Sequence, residues 1–229
     1  MKRFAASTVL LWLILGSLPS HGAEKKLSLQ AQELKSSLAV LKANPRDKSA
    51  QTQYLQKFPK DIQTFRRLFD PPDFSELYDG NDYIFALRDL EQDQPIQVGE
   101  LLISLSKDAP QGADALSYLR QVTAKYAVSS TATFAKLLHS RSEKEISRVI
   151  RYLADVENHH YYPEYPLIIE NLRKIGETKL AQQFEAAKKK RMKMPTHGEM
   201  RDEPTSAGGV YLKGVEQLPQ PSTTVPQTL

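Results

Sequence analysis

Cysteine is absent from all 229 residues. Disulfides, thiolate nucleophiles, cysteine metal ligands and lipid attachment through cysteine are therefore excluded. The fold has to be held by buried apolar surface alone. Glycine is sparse and scattered, ten residues in all, so no glycine-rich loop is available to cradle phosphate. No G-x-S-x-G places a serine in a nucleophile elbow. Apolar–polar alternation of any length is missing before residue 195, which leaves little for a β-sheet. Carboxylates are common, but Asp79 and Asp82 are a pair that chance supplies in any acidic stretch. Asp79-Gly80-Asn81-Asp82 also misses the calcium-loop spacing. The sequence predicts a protein that is not an enzyme and needs no cofactor.

The N-terminus carries Lys2 and Arg3, then an apolar run from Val9 to Leu15, then Pro19 and the small residues near Ala23. That is the pattern of a signal peptide over 1–23, too short for a comfortable membrane span. Export without cysteine predicts the periplasm, with secretion as the alternative. Residues 24–194 form the expected folded domain. The remainder, 195–229, sets five prolines among Thr, Ser, Gly and Gln and is expected to be a disordered tail.

Charge is unevenly placed. Residues 24–187 hold 22 basic and 23 acidic side chains. The basic excess lies just beyond, in Lys188, Lys189, Lys190, Arg191 and Lys193. Cations complement the C-terminal dipole of a helix. The same run suits peripheral contact with anionic lipid or an acidic partner. Without interleaved aromatics it does not read as a nucleic-acid surface.

Between signal and tail the period is helical throughout. Leu27, Leu34, Leu38 and Leu41 make a first stripe, ended by Asn44-Pro45. Ala50, Tyr54 and Leu55 make a second. Pro59 is expected in the first turn of a third helix carrying Ile62, Phe65, Leu68 and Phe69. Asp79-Gly80-Asn81 reads as a turn, with Asp82 capping a helix through Tyr83, Ile84, Leu87 and Leu90. Pro95 opens the next, and Ala113 to Tyr126 form another. Ser129 and Ser130 are candidate caps for the helix of Phe134, Leu137 and Leu138. Ser142 and Glu145 form a capping box ahead of Ile146, Val149, Ile150 and Leu153. Leu167, Ile168, Leu172 and Ile175 predict a further stripe closed by Gly176. The last helix runs from about Thr178 to Met192. The expected fold class is all-α, either an irregular multi-helix bundle or a short solenoid of helix pairs.

Two stretches stand out as candidate contact sites. Residues 70–93 carry eight acids against Arg88 alone, a net charge of −7. Asp73, Glu76, Tyr78, Asp79 and Asp82 would make an acidic docking surface for a basic protein partner. The alternative is an ordinary solvated loop. Tyr161 and Tyr162, beside Pro163, are tyrosines of the kind found at interfaces. Nearby Glu157, His159 and His160 lack the spacing that puts two metal ligands on one helix face, so no metal is expected.

The order Phe58-Pro59, Phe65, Leu68-Phe69, Leu77-Tyr78-Asp79 and Tyr83-Ile84 resembles a signature of small bacterial proteins of the toxin–immunity kind. The resemblance covers about a sixth of the chain. It implies an all-helical protein that binds and neutralises a partner, here a toxin active in the periplasm. A structural or adaptor protein of the cell envelope, tethered by the basic helix end and tail, is the alternative. An envelope hydrolase with unrecognised carboxylates is a third.

Overall fold

The structure is a computed structural model. It describes residues 27–70, 76–77, 81–112, 114–155 and 163–193. Among these there are ten helices. They are α1 (Leu29–Ala43), α2 (Lys48–Lys57), α3 (Ile62–Phe69), α4 (Asn81–Leu90) and α5 (Pro95–Ser106). The remainder are α6 (Asp114–Ser129), α7 (Thr131–His139), α8 (Glu143–Ala154), α9 (Glu164–Lys174) and α10 (Thr178–Arg191). All ten lie in one compact unit that ends at Arg191.

Helices α1, α2, α3 and α8 begin where a side chain takes up a free N–H group of the first turn. Ser28 accepts from Ala31 N at 3.2 Å. Asp47 does so for Ser49 N at 2.8 Å, and Asp61 for Thr64 N at 2.8 Å. This last bond holds the Asp61 carboxyl below its ordinary pKa. The third helix therefore starts at Ile62 and not at Pro59, whose neighbour Phe58 closes α2. The Ser142–Glu145 capping box forms as the sequence predicts, with bonds in both directions. Gly176, at φ +85°, ends α9. There Glu177 N reaches Leu172 O at 2.8 Å and Gly176 N reaches Arg173 O at 3.0 Å, the two bonds of a Schellman turn.

Packing makes an irregular bundle rather than a solenoid. In a solenoid each helix pair would touch only its neighbours. Here α6 packs against α4, α5, α7, α8 and α9, and α5 reaches α7 and α8. Gly99 on α5 allows a close approach to α6 and α7. A Cβ there would lie 2.1 Å from Tyr126 Oη and 2.6 Å from Leu137 Cδ1. Tyr126 is fixed in that gap by donating to Pro95 O at 2.8 Å.

Two aromatic clusters tie helices together. Tyr54, Phe58, Phe65, Phe69 and Tyr83 join α2, α3 and α4, with ring centroids 5.0 to 6.3 Å apart. The Tyr54 hydroxyl donates to Tyr83 O at 2.5 Å. Tyr126, Phe134, Phe184 and Tyr165 join α6, α7, α10 and α9 in the same way. Such pairs contribute about 0.5–1.5 kcal/mol each beyond area burial.

Three expectations change. The buried face of α9 is Tyr165, Ile168, Ile169 and Leu172, while Leu167 and Ile175 are 42% and 46% exposed. Ser129 lies inside α6, and Ser130, though at the cap position of α7, makes no cap bond. Both hydroxyls donate instead to the buried Glu91 carboxylate, Ser130 at 2.7 Å. Asn81 and Asp82 fall within α4 rather than ahead of it.

Candidate functional site

The acidic stretch is less free than its formal charge suggests. Glu76 is only 13% exposed at its side chain and accepts from Ser28 N at 2.5 Å, with Arg67 at 4.0 Å. It ties the start of α1 to the segment after α3. Asp70 is held by Arg66 at 2.6 Å, one turn earlier on α3. Glu91 is held by the two serines, and Asp93 accepts from Gln51 at 2.6 Å. Among the described acids of this stretch, Asp82 and Asp89 on α4 are 62% and 74% exposed, and Asp93 also reaches solvent. Asp73, Tyr78, Asp79, Tyr161 and Tyr162 lie outside the described residues, as do Glu157, His159 and His160.

Asp82 and Asp89 sit on the rim of a groove of about 320 Å³ between α1 and α4. One wall is Leu38, Leu41 and Lys42 of α1, continued by Pro45 in the turn that follows. These positions are i, i+3, i+4 and i+7, one face of a helix. The other wall repeats the spacing on α4, with Asp82, Phe85, Ala86 and Asp89. Arg88 and Leu90 complete it. α1 packs chiefly on α2 and α4 chiefly on α6, so no close helix–helix contact shuts the gap.

Charge at the rim is balanced. Lys42 Nζ meets Asp82 Oδ2 at 2.6 Å, linking α1 to α4. Arg88 Nε lies 3.6 Å from Asp89 Oδ1, and its guanidinium stands 5.8 Å over the Phe85 ring. Phe85 in turn packs edge-on against Tyr118 of α6, 5.4 Å between centroids. Tyr83, next to Asp82, has its phenol pKa raised, mainly by burial; Lys42 opposes the shift and Asp82 adds to it. The groove thus has a largely buried apolar floor and a rim whose four charged side chains balance.

A second polar cluster was not visible in the sequence. Asp155, which closes α8, lies between two guanidinium groups. Arg191 Nε is 2.8 Å from Asp155 Oδ1, and Arg120 Nη2 is 3.7 Å from Oδ2. Their side chains are 12%, 10% and 6% exposed for Arg191, Asp155 and Arg120. Arg120 also donates to Tyr152 O at 2.9 Å and lies 4.8 Å over the Tyr152 ring. Arg191 therefore faces inward, although it is part of the basic run 188–193. Lys188 is half-buried, and Lys189, Lys190 and Lys193 are exposed. Among the described residues no group of three His, Asp or Glu side chains is placed to hold a metal ion. No described helix is long and apolar enough to cross a membrane.

No protein-family model, curated protein or solved structure matches the chain.

Proposed function

We propose that this chain is an exported, non-enzymatic helical protein that takes an amphipathic helix of a protein partner into the groove between α1 and α4. The observation that carries the reading is the pair of facing stripes, Leu38–Leu41–Lys42–Pro45 and Asp82–Phe85–Ala86–Asp89, with no third helix between them. Helix-in-groove recognition needs such an apolar trough, into which a partner inserts side chains at i, i+3, i+4 and i+7. The rim pairs Lys42–Asp82 and Arg88–Asp89 are surface pairs of small net value. A partner helix with charges of both signs along its edges can replace them at little cost.

Export rests on the signal pattern of 1–23, and the periplasm is the proposed compartment. The narrower reading is an immunity-type inhibitor of a toxin active there. It rests on the resemblance carried from Phe58 to Ile84, a span that ends within α4. Asp73, Tyr78 and Asp79 precede α4 in sequence and would extend the contact toward a basic partner, with Tyr161 and Tyr162 as a separate contact. Glu76 serves in this account by holding the start of α1.

Affinity capture from periplasmic extract tests the proposal. The full chain is run beside Phe85→Lys and beside Asp73→Asn/Asp79→Asn, leaving Glu76 and the groove residue Asp82 intact. One stoichiometric partner, kept by the parent and lost by Phe85→Lys, is the expected result. Loss only in the acid variant would move the site off the groove. A partner retained by both variants would end the proposal.

A further inference from the structure

We infer that the C-terminal end of α10 is a docking patch for an anionic phospholipid surface, formed by Lys188, Lys189 and Lys190. The fold sorts the cations of its last two helices. Arg173 meets Glu185 at 2.6 Å, Lys174 meets Glu170 at 2.7 Å, and Lys179 meets Glu143 at 2.6 Å. Arg191 is turned in against Asp155. Three consecutive lysines are left. Among the described residues none of them has a carboxylate within ion-pairing distance. Lys189 and Lys190 are exposed.

The same ion-pair cluster makes the patch rigid. A lysine-rich helix end without tertiary contacts would fray. Here the residue after Lys190 is fastened to the end of α8 and to α6 by the Arg191–Asp155–Arg120 cluster. The lysines are held on a formed helix anchored by the fully buried Phe184; Lys189 and Lys190 point away from it, and Lys188, one turn after Phe184, is half-buried at the edge of the patch. The chemistry selects the ligand. Lysine ammonium groups are compact, strongly hydrated point charges without the planar fork that reads a single phosphate or carboxylate in two contacts. A cluster of them responds to a sheet of negative charge more than to one defined anion. This site is separate from the α1–α4 groove and does not depend on it.

The test is co-sedimentation of the full chain with vesicles. One set is phosphatidylcholine alone and the other contains 30% phosphatidylglycerol by design, a composition on the order of anionic natural leaflets. Each lysine near such a surface is worth about a 5-fold change in partition, so Lys188→Gln/Lys189→Gln/Lys190→Gln is expected to bind on the order of 100-fold more weakly. Binding of the parent should fade as the screening length falls from about 10 Å at 0.1 M salt to about 3 Å at 1 M. The control is Lys57→Gln/Lys174→Gln/Lys179→Gln, which removes the same formal charge from lysines that are already paired. It should partition within a few-fold of the parent. Equal loss in the control would show whole-molecule electrostatics and overturn the patch. So would equal binding to both vesicle types, no binding to either, or capture by soluble polyglutamate in place of vesicles. Phe85→Lys should sediment as the parent does, which keeps this outcome independent of the groove.

Discussion

Replacing Asp155 by alanine should be among the most damaging single changes in the chain. Two guanidinium groups, 6% and 12% exposed, share this one carboxylate. Removing it leaves like charges facing each other in a site shielded from water. Breaking a buried pair in this way costs about 3–5 kcal/mol, because the remaining charge keeps its desolvation penalty without its partner. For a domain of this size that is a fall in unfolding midpoint of roughly 6–20 °C. Urea and thermal unfolding followed by circular dichroism at 222 nm measure it directly. The physical cause is separable from loss of contact. In Arg120→Met/Asp155→Leu/Arg191→Met no charge remains, and stability should lie within about 1 kcal/mol of the parent or above it. Tyr152 O loses the Arg120 donor in that variant but keeps the Asp155 N–H at 3.3 Å. A loss below about 1 kcal/mol in Asp155→Ala would refute the reasoning. It would mean that water reaches both guanidinium groups and that the cluster does not fasten α10.

Two further outcomes test the packing and the caps. Gly99→Ala would place a methyl group against Tyr126 Oη and Leu137 Cδ1, and overpacking there should cost about 1–3 kcal/mol, read by the urea midpoint; a neutral result would mean that α5 can move away from α6 and α7. Glu145 has its carboxyl lowered from 4.5 to about 2, first by the Lys107 hydrogen bond and then by the Ser142 N–H and hydroxyl. A lowered folded-state value stabilises above the unfolded value and is lost as pH falls through the folded one. The stability difference between parent and Glu145→Gln should therefore be constant above pH 4.5 and shrink toward pH 2; a difference that persists at pH 2 would contradict the assignment.

The helices were legible because their signals are local. Ser142 and Glu145 lie three residues apart, and Gly176 directly follows an apolar stripe, so both ends could be placed from sequence. Phase was lost where local contrast was missing. Leu167-Ile168-Ile169 has no polar residue to say which side faces in, and the exposed side carries Leu167. Pro59 looked like a helix opener, but Asp61 offers a cap oxygen at the right spacing and takes precedence. The formal charge of the acidic stretch overstates its free charge for a different reason. Its counter-groups come from far along the chain, Ser28 for Glu76, Lys42 for Asp82 and Gln51 for Asp93. Sequence counting registers the acids and not their distant partners. Arg120 gave no signal at all, since an arginine in mid-helix usually faces water. The groove needed the placement of α1 beside α4, which no periodicity contains.

Occupation of the α1–α4 groove by a protein partner is open to hydroxyl-radical footprinting of the full chain, alone and with the captured partner. Labelling of Pro45 and Phe85 should fall sharply in the complex, with Tyr118 protected beside them and Leu167 and Ile175 unchanged. Protection at Leu167 and Ile175, with Pro45 and Phe85 labelled as in the free protein, would contradict it.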